Sequence, residues 1–232
     1  MIALTVAGDP EAAARTAAER IAVAIREARE ARGVAHVAVA GGRTPARTYN
    51  LLARLEHDWS DVHLWFGDER CVPLDDAESN HALLVRTLLA AELRVPPTVH
   101  PVHGADADPM AAAAAYEREL REALMGDPPQ FDFALLGLGE DGHTASLFPD
   151  DPALDEHERL CVAVRGSKPP FERVTLTLPI LRAAQKLAIL AEGTGKAWAV
   201  AATLAGPSSR VPASLLADAD VELIVDLAGA PA

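Results

Sequence analysis

The strongest constraint on this chain is a set of short, almost wholly apolar runs that alternate with helix-forming segments. Val34–Ala40 (VAHVAVA), Val62–Phe66, Phe131–Leu136 (FDFALL) and Leu187–Ala191 are such runs. A strand with one wet face alternates apolar and polar residues, whereas a strand apolar throughout is covered on both faces. The segments between carry helix boundaries. Asp9-Pro10-Glu11 supplies an N-cap, a proline at the first helical position and an acid in the first turn. The Ala-rich stretch that follows runs to Arg32 and stops at Gly33. Thr44 reads as a cap and Pro45 as the opening of a helix to about Glu56. Further helices are predicted near Asn80–Leu93, Pro109–Met125 and Thr194–Leu204, and further strands near Ile2–Val6, Leu160–Val164, Val174–Leu178 and Val221–Val225. The alternation predicts an α/β fold over residues 1–232 as one domain: a doubly wound, mostly parallel sheet with helices on both faces.

Composition narrows the function. Half of the 232 residues are hydrophobic, enough to fill a core. Asp plus Glu number 34 against 21 Lys plus Arg, a formal charge of −13. Such an acidic chain is not built for sequence-independent binding to nucleic acid or to anionic membranes. Cys71 and Cys161 are far apart and in no CxxC spacing, so neither a disulfide framework nor a zinc site is expected. With no basic, apolar leader at the N-terminus and no membrane-length apolar run, the reading is a cytoplasmic protein.

Ligands of open α/β sheets bind beyond the carboxyl ends of the strands. Three strand exits carry the chemistry. Gly41-Gly42-Arg43-Thr44-Pro45 joins a strand to a helix start, either an anion-binding turn with free N–H groups or an ordinary tight turn. Asp68-Glu69-Arg70 is locally a solvated charged turn, although a strand-exit arginine also suits a phosphate or carboxylate. Gly137-Leu138-Gly139-Glu140-Asp141-Gly142 matches G-x-G-x-x-G, but Pro149 cuts the following segment short where a dinucleotide fingerprint needs a sustained helix. His143 follows Asp141 at this exit and suits a general base near neutral pH, against the alternative of a structural or exposed histidine. His36 reads as a satisfied core residue, and His57, His63 and His157 as surface residues. His100 and His103 flank Pro101 in a loop with no nearby acid cluster, so no metal is expected there. Lys168 and Arg173 frame a proline-stiffened loop. No G-x-S-x-G elbow appears.

Together, GGRTP (41–45), FGDERCVPLDDAESN (66–80), FDFALLGLGEDGHTASLFP (131–149) and KPPFERVTLTLP (168–179) resemble the 6-phosphogluconolactonases of the glucosamine-6-phosphate isomerase/6-phosphogluconolactonase superfamily, in order and spacing. The third stretch is the most specific, since the related deaminases continue differently where this chain reads Ser146-Leu147-Phe148-Pro149. Arg43 stands where serine is also common. The resemblance implies a Rossmann-like fold and hydrolysis of 6-phospho-D-glucono-1,5-lactone in the pentose phosphate pathway, without metal or cofactor, by a monomer or homodimer. It implies His143 as general base with Asp141 orienting it or shaping the loop. Gly41, Gly42, Arg43 and Thr44 would form the substrate end of a phosphate-binding loop. Arg70, Lys168 and Arg173 would bind phosphate or the developing oxyanion, and Asp68 would support them or bind a hydroxyl. The alternatives are an aminosugar-phosphate deaminase/isomerase and a non-catalytic sugar-phosphate sensor. Either way, Arg43, Arg70, Lys168 and Arg173 are expected to converge on a locally positive cleft in an acidic protein.

Overall fold

A computed structural model of the chain describes residues 2–55, 58–106 and 108–231. In chain order the elements are β1 (Ala3–Ala7), α1 (Pro10–Arg32), β2 (Ala35–Val39), α2 (Arg43–Leu55), β3 (Val62–Phe66), β4 (Asp68–Arg70), α3 (Asn80–Thr87), β5 (Thr98–His100), α4 (Pro109–Ala123), β6 (Phe133–Gly137), β7 (Cys161–Arg165), β8 (Glu172–Leu176), α5 (Leu178–Ala183), β9 (Leu187–Ala191), α6 (Ala197–Leu204) and β10 (Val221–Asp226). His57 and the expected helix end at Glu56 lie outside the described residues. No helix among the described residues is long and apolar enough to cross a membrane.

Seven strands form one sheet in the order β1-β10-β9-β6-β2-β3-β5, and every pairing in it is parallel. All five residues of β2 and of β9 are buried, which is why those segments read as unbroken apolar runs. Chain order runs outward from β2 to β3 and β5 on one side, and from β6 to β9 and β10 on the other. The exits of β2 and β6 therefore flank the point where strand order reverses, where such sheets bind ligands.

Helix α1 starts and stops as its sequence predicts. The Asp9 carboxylate accepts the Ala12 N–H at 2.7 Å, and Gly33 at φ +80° donates its N–H to the Arg29 carbonyl. Its small buried side chains, among them Ala14, Ala17 and Ala18, let the helix lie close on the sheet.

Several expectations are corrected. β7 and β8 leave the parallel sheet and pair antiparallel with β4 in a three-stranded sheet, β4-β8-β7. β8 stops at Leu176, and Leu178–Ala183 turns into α5, with Pro179 placed in its first turn. β5 lacks a sequence signal because its three residues include one apolar side chain, Val99. Thr44 is not a cap, since α2 already begins at Arg43. Asp68 and Glu69 are not solvated but 8% and 1% exposed.

Glu69 shows why. In β4, side chains alternate faces, so Glu69 points opposite to Asp68 and Arg70. Its carboxylate accepts the N–H groups of Arg70, Asn80 and His81, each at 2.8 Å, and the Ser79 hydroxyl at 3.0 Å. Burial pushes its pKa up, and the three N–H donors oppose that rise. The carboxylate thus anchors the start of α3 to β4. Replacing Glu69 by alanine leaves those donors buried without an acceptor. We expect Glu69→Ala to cost about 3 kcal/mol or more, a fall of roughly 6–12 °C in Tm for a chain of this size, read by calorimetry.

The histidines also depart from the sequence reading. His63 is half-buried rather than exposed, with Nδ1 2.8 Å from His100 Nε2. His100 lies on β5, stacked on Trp65 at 3.7 Å, and its Nδ1 is 2.5 Å from Glu119. His36 is buried as expected and accepts the Trp65 indole N–H at 3.2 Å. Burial, aided by His63, His100 and Arg32, lowers the His36 pKa from 6.5 to about 4. Between those values the unfolded chain binds a proton that the folded chain refuses, so stability rises with pH through that window. We expect up to roughly 3 kcal/mol of stability to be lost from pH 6.5 to pH 4, and His36→Leu to flatten that slope in denaturant titrations.

Candidate active site

A cleft of about 750 Å³ opens over the carboxyl ends of β2, β3, β6 and β9. All ten residues singled out in the sequence line it: Gly41, Gly42, Arg43, Thr44, Asp68, Arg70, Asp141, His143, Lys168 and Arg173. They arrive from separate stretches of chain, brought together because parallel strands deliver their exits to one edge and the small sheet stands beside that edge.

The β6 exit presents His143. Its Nδ1 lies 2.5 Å from Asp141 Oδ1, which also accepts the His143 backbone N–H at 3.2 Å. With that carboxylate on Nδ1, the neutral ring carries its proton there and leaves the Nε2 lone pair available. Burial works to raise the Asp141 pKa, but the His143 charge and hydrogen bonds outweigh it and hold the carboxyl below the usual carboxylate range. Glycine is required beneath this pair. A Cβ at Gly139 would sit 2.1 Å from His143 Nδ1 and 2.5 Å from Asp141 Oδ1. The second glycine of the G-x-G-x-x-G match thus serves to seat an imidazole.

The β2 exit is held from below. Asn80 Nδ2 donates to the Asp68 carbonyl at 2.7 Å, which turns its Oδ1 against the Gly41 backbone. A Cβ at Gly41 would lie 1.8 Å from that oxygen. Gly42 at φ +98° then turns the chain into α2, whose first residues, Arg43 to Pro45, line the cleft.

The small sheet supplies cations. Arg70 and Arg173 are register partners across β4 and β8. Arg173 lies 5.7 Å from the Phe148 ring centroid and donates to the Pro170 carbonyl at 3.3 Å. Burial lowers its pKa and Arg70 adds to that, against Asp68 and Glu78. Arg70 donates to the Glu78 carbonyl, while its Nε is buried without a partner. Asp68 accepts the Ser146 hydroxyl at 2.6 Å and Asn80 Nδ2 at 3.3 Å. It is a fixed counter-charge rather than a mobile one. Lys168 is exposed at the rim.

Sequence reasoning missed Lys196, which follows β9 and lines the cleft half-buried. Burial lowers its pKa, with Arg43 and Lys168 pushing the same way and Glu140 and Asp141 opposing. The signal was present as a fourth strand exit, Gly193-Thr194-Gly195-Lys196, directly after an all-apolar strand.

Five cations (Arg43, Arg70, Lys168, Arg173 and Lys196) and four carboxylates (Asp68, Glu140, Asp141 and Glu192) therefore line the cleft. Among the described residues, none of the five cations has a carboxylate within ion-pair distance. Asp141 is taken by His143, and Glu192 by Arg47 at 3.3 Å. Cations without carboxylate partners, three of them half-buried (Arg70, Arg173 and Lys196), are the kind of groups that suit an anion.

Fold and cleft together define an α/β protein whose cleft brings five cations beside a histidine–aspartate pair. The family model for glucosamine-6-phosphate isomerases/6-phosphogluconolactonase matches residues 8–225, and the chain belongs to that family. It is 42% identical over 216 residues to a 6-phosphogluconolactonase of Streptomyces coelicolor, covering 88% of this chain and 83% of that protein. The structure of the Trypanosoma brucei 6-phosphogluconolactonase superposes with a TM-score of 0.84 at 30% identity, covering 97% of this chain and 96% of that one. A monomeric glucosamine-6-phosphate deaminase shares the fold, with a TM-score of 0.82 at 22% identity over 98% of both chains.

An anion bound only by the folded state raises Tm by mass action. We expect inorganic phosphate to stabilise the protein in a thermal-shift titration, and Arg173→Gln to abolish most of that stabilisation while leaving the phosphate-free Tm within about 3 °C.

Proposed function

We propose that this protein hydrolyses 6-phospho-D-glucono-1,5-lactone to 6-phospho-D-gluconate, the ring-opening step of the oxidative pentose phosphate pathway, as one α/β domain in the cytoplasm. The observation that carries the reading is the His143–Asp141 pair, 2.5 Å apart, in the same cleft as five cations free of carboxylate partners. The family and the lactonase relatives support it, as do the two free thiols, which suit a reducing compartment.

In this reading the phosphate lies against the cations and the α2 start, and that remote binding energy positions the lactone ring. Water attacks C1 while His143 Nε2 takes its proton, and Asp141 stabilises the imidazolium. The C1 oxygen becomes an oxyanion beside cationic donors. Its collapse breaks the bond from C1 to the ring oxygen, which takes the proton back from His143. The product acid then ionises to the carboxylate. Lys196 joins Arg43, Arg70, Lys168 and Arg173 in this scheme. Asp68, held by Ser146 and Asn80, supports Arg173 rather than binding a sugar hydroxyl. No step needs a metal or a redox cofactor, because a δ-lactone is activated enough for one base and oriented charge.

His143→Asn tests the proposal. Turnover of the phosphorylated lactone, corrected for spontaneous opening, should fall by about 10²–10⁴-fold. Affinity for 6-phosphogluconate should change little, because the phosphate contacts remain. Near-normal turnover would remove His143 as the base. Ammonia release from glucosamine 6-phosphate, with no lactone hydrolysis, would replace the proposal with a deaminase.

A further inference from the structure

The loop that carries Lys196 is short and glycine-rich, and it runs directly into α6. It leaves β9 through Gly193 at φ +87°, passes Gly195 and makes a three-residue 3-10 turn, Thr194–Lys196. Two glycines in four residues leave a large conformational freedom to be lost when a ligand orders the lysine. One buried group restrains this loop. Asp226, at the end of β10, is 2% exposed and does not line the cleft. Its Oδ1 accepts the Gly193 N–H at 2.9 Å and the Gly229 N–H at 2.7 Å. The Gly193 carbonyl in turn accepts the Lys196 N–H at 3.0 Å. Two hydrogen bonds thus link a buried carboxylate to the backbone of a cleft lysine. The chain after β10 folds back over this clasp. A Cβ at Gly229 would lie 2.9 Å from Asp226 Oδ1 and 3.3 Å from the Gly193 carbonyl oxygen, so glycine is needed for the contact. Charge-assisted bonds of this kind are about twice as strong as neutral ones, and shielding from water preserves their strength.

We infer that Asp226 is a positioning residue that sets the affinity of the cleft for its phosphorylated ligand by fixing the loop that carries Lys196. The inference rests on the proposed function only in naming the ligand. Asp226 touches neither substrate nor the reacting atoms. Its loss transfers the ordering of the loop to the binding step, so KM rises while kcat stays nearly constant.

A double-mutant cycle separates this role from a purely structural one. Binding of 6-phosphogluconate and, separately, of inorganic phosphate is measured by calorimetry on wild type, Asp226→Ala, Lys196→Ala and the double variant. Asp226→Ala should weaken binding about tenfold or more in the wild-type background, but by less than about twofold when Lys196 is already alanine. Asp226→Asn keeps a carbonyl acceptor and should recover most of the loss. If Asp226→Ala does not fold, Gly229→Ala, which pushes the carboxylate out of the clasp, takes its place in the cycle. Equal losses in both backgrounds, or no loss in the first, would overturn the inference. Phosphate binding that obeys the cycle without any lactone turnover would sink the proposed reaction and leave the clasp standing. A wild-type protein that binds neither probe would overturn both.

Discussion

The buried Glu69 carboxylate is the contact on which the geometry of the cleft depends. A carboxylate almost removed from water is tolerated only when its oxygens are filled, and here three backbone N–H groups and one hydroxyl fill them. Because β4 alternates faces, fixing Glu69 inward fixes Asp68 and Arg70 toward the cleft. Because two of the N–H groups belong to the first turn of α3, the same carboxylate sets Asn80, which hydrogen-bonds Asp68 and packs against the Gly41 turn. One charge on the hidden face of a three-residue strand thus governs two walls of the site.

The electrostatics divide along the same architecture. The chain carries a net charge of −13, yet the cleft gathers five cations that have no carboxylate partner among the described residues. Three of the four carboxylates that line it are occupied locally: Asp141 by the imidazole, Asp68 by a hydroxyl and an amide, Glu192 by Arg47. Net charge therefore describes the outer surface and its unsuitability for polyanions. The local field, set by which charges are already paired, decides what enters the cleft.

Much of this was legible in the sequence, for physical reasons that can be named. The central strands are buried on both faces, so β2, β6 and β9 announce themselves as apolar runs. Helix α1 carries an aspartate cap, a first-turn proline and a terminal glycine, each of which forms the contact expected of it. Gly41, Gly42, Arg43, Thr44, Asp141 and His143 follow exits of the parallel sheet, Asp68, Arg70 and Arg173 lie on the small sheet beside it, and topology gathers them at one edge. What could not be read was pairing. Nothing local in VAVR or ERVTL distinguishes a strand of the main sheet from one of a separate antiparallel sheet. The buried state of Asp68 and Glu69 depends on partners ten or more residues away, so a charged turn and a charged pin look alike in sequence. Lys196 was missed because its loop reads as the start of the helix that follows it.

The two sheets meet at Gly67, whose N–H bonds the Val39 carbonyl of the main sheet and whose carbonyl accepts the Leu176 N–H of the small one, both at 2.9 Å. His143 belongs to the first layer, and Arg70 and Arg173 to the second. The separation of the histidine from these two arginines is thus a dimension of the seam rather than of any residue lining the cleft. A Cβ at Gly67 would come within 3.3 Å of Leu136, so the seam is already closed to about the width of a glycine. In the proposed reaction, measuring the length of a sugar acid would in this sense be a task of the backbone, with the side chains supplying the charge and the proton acceptor.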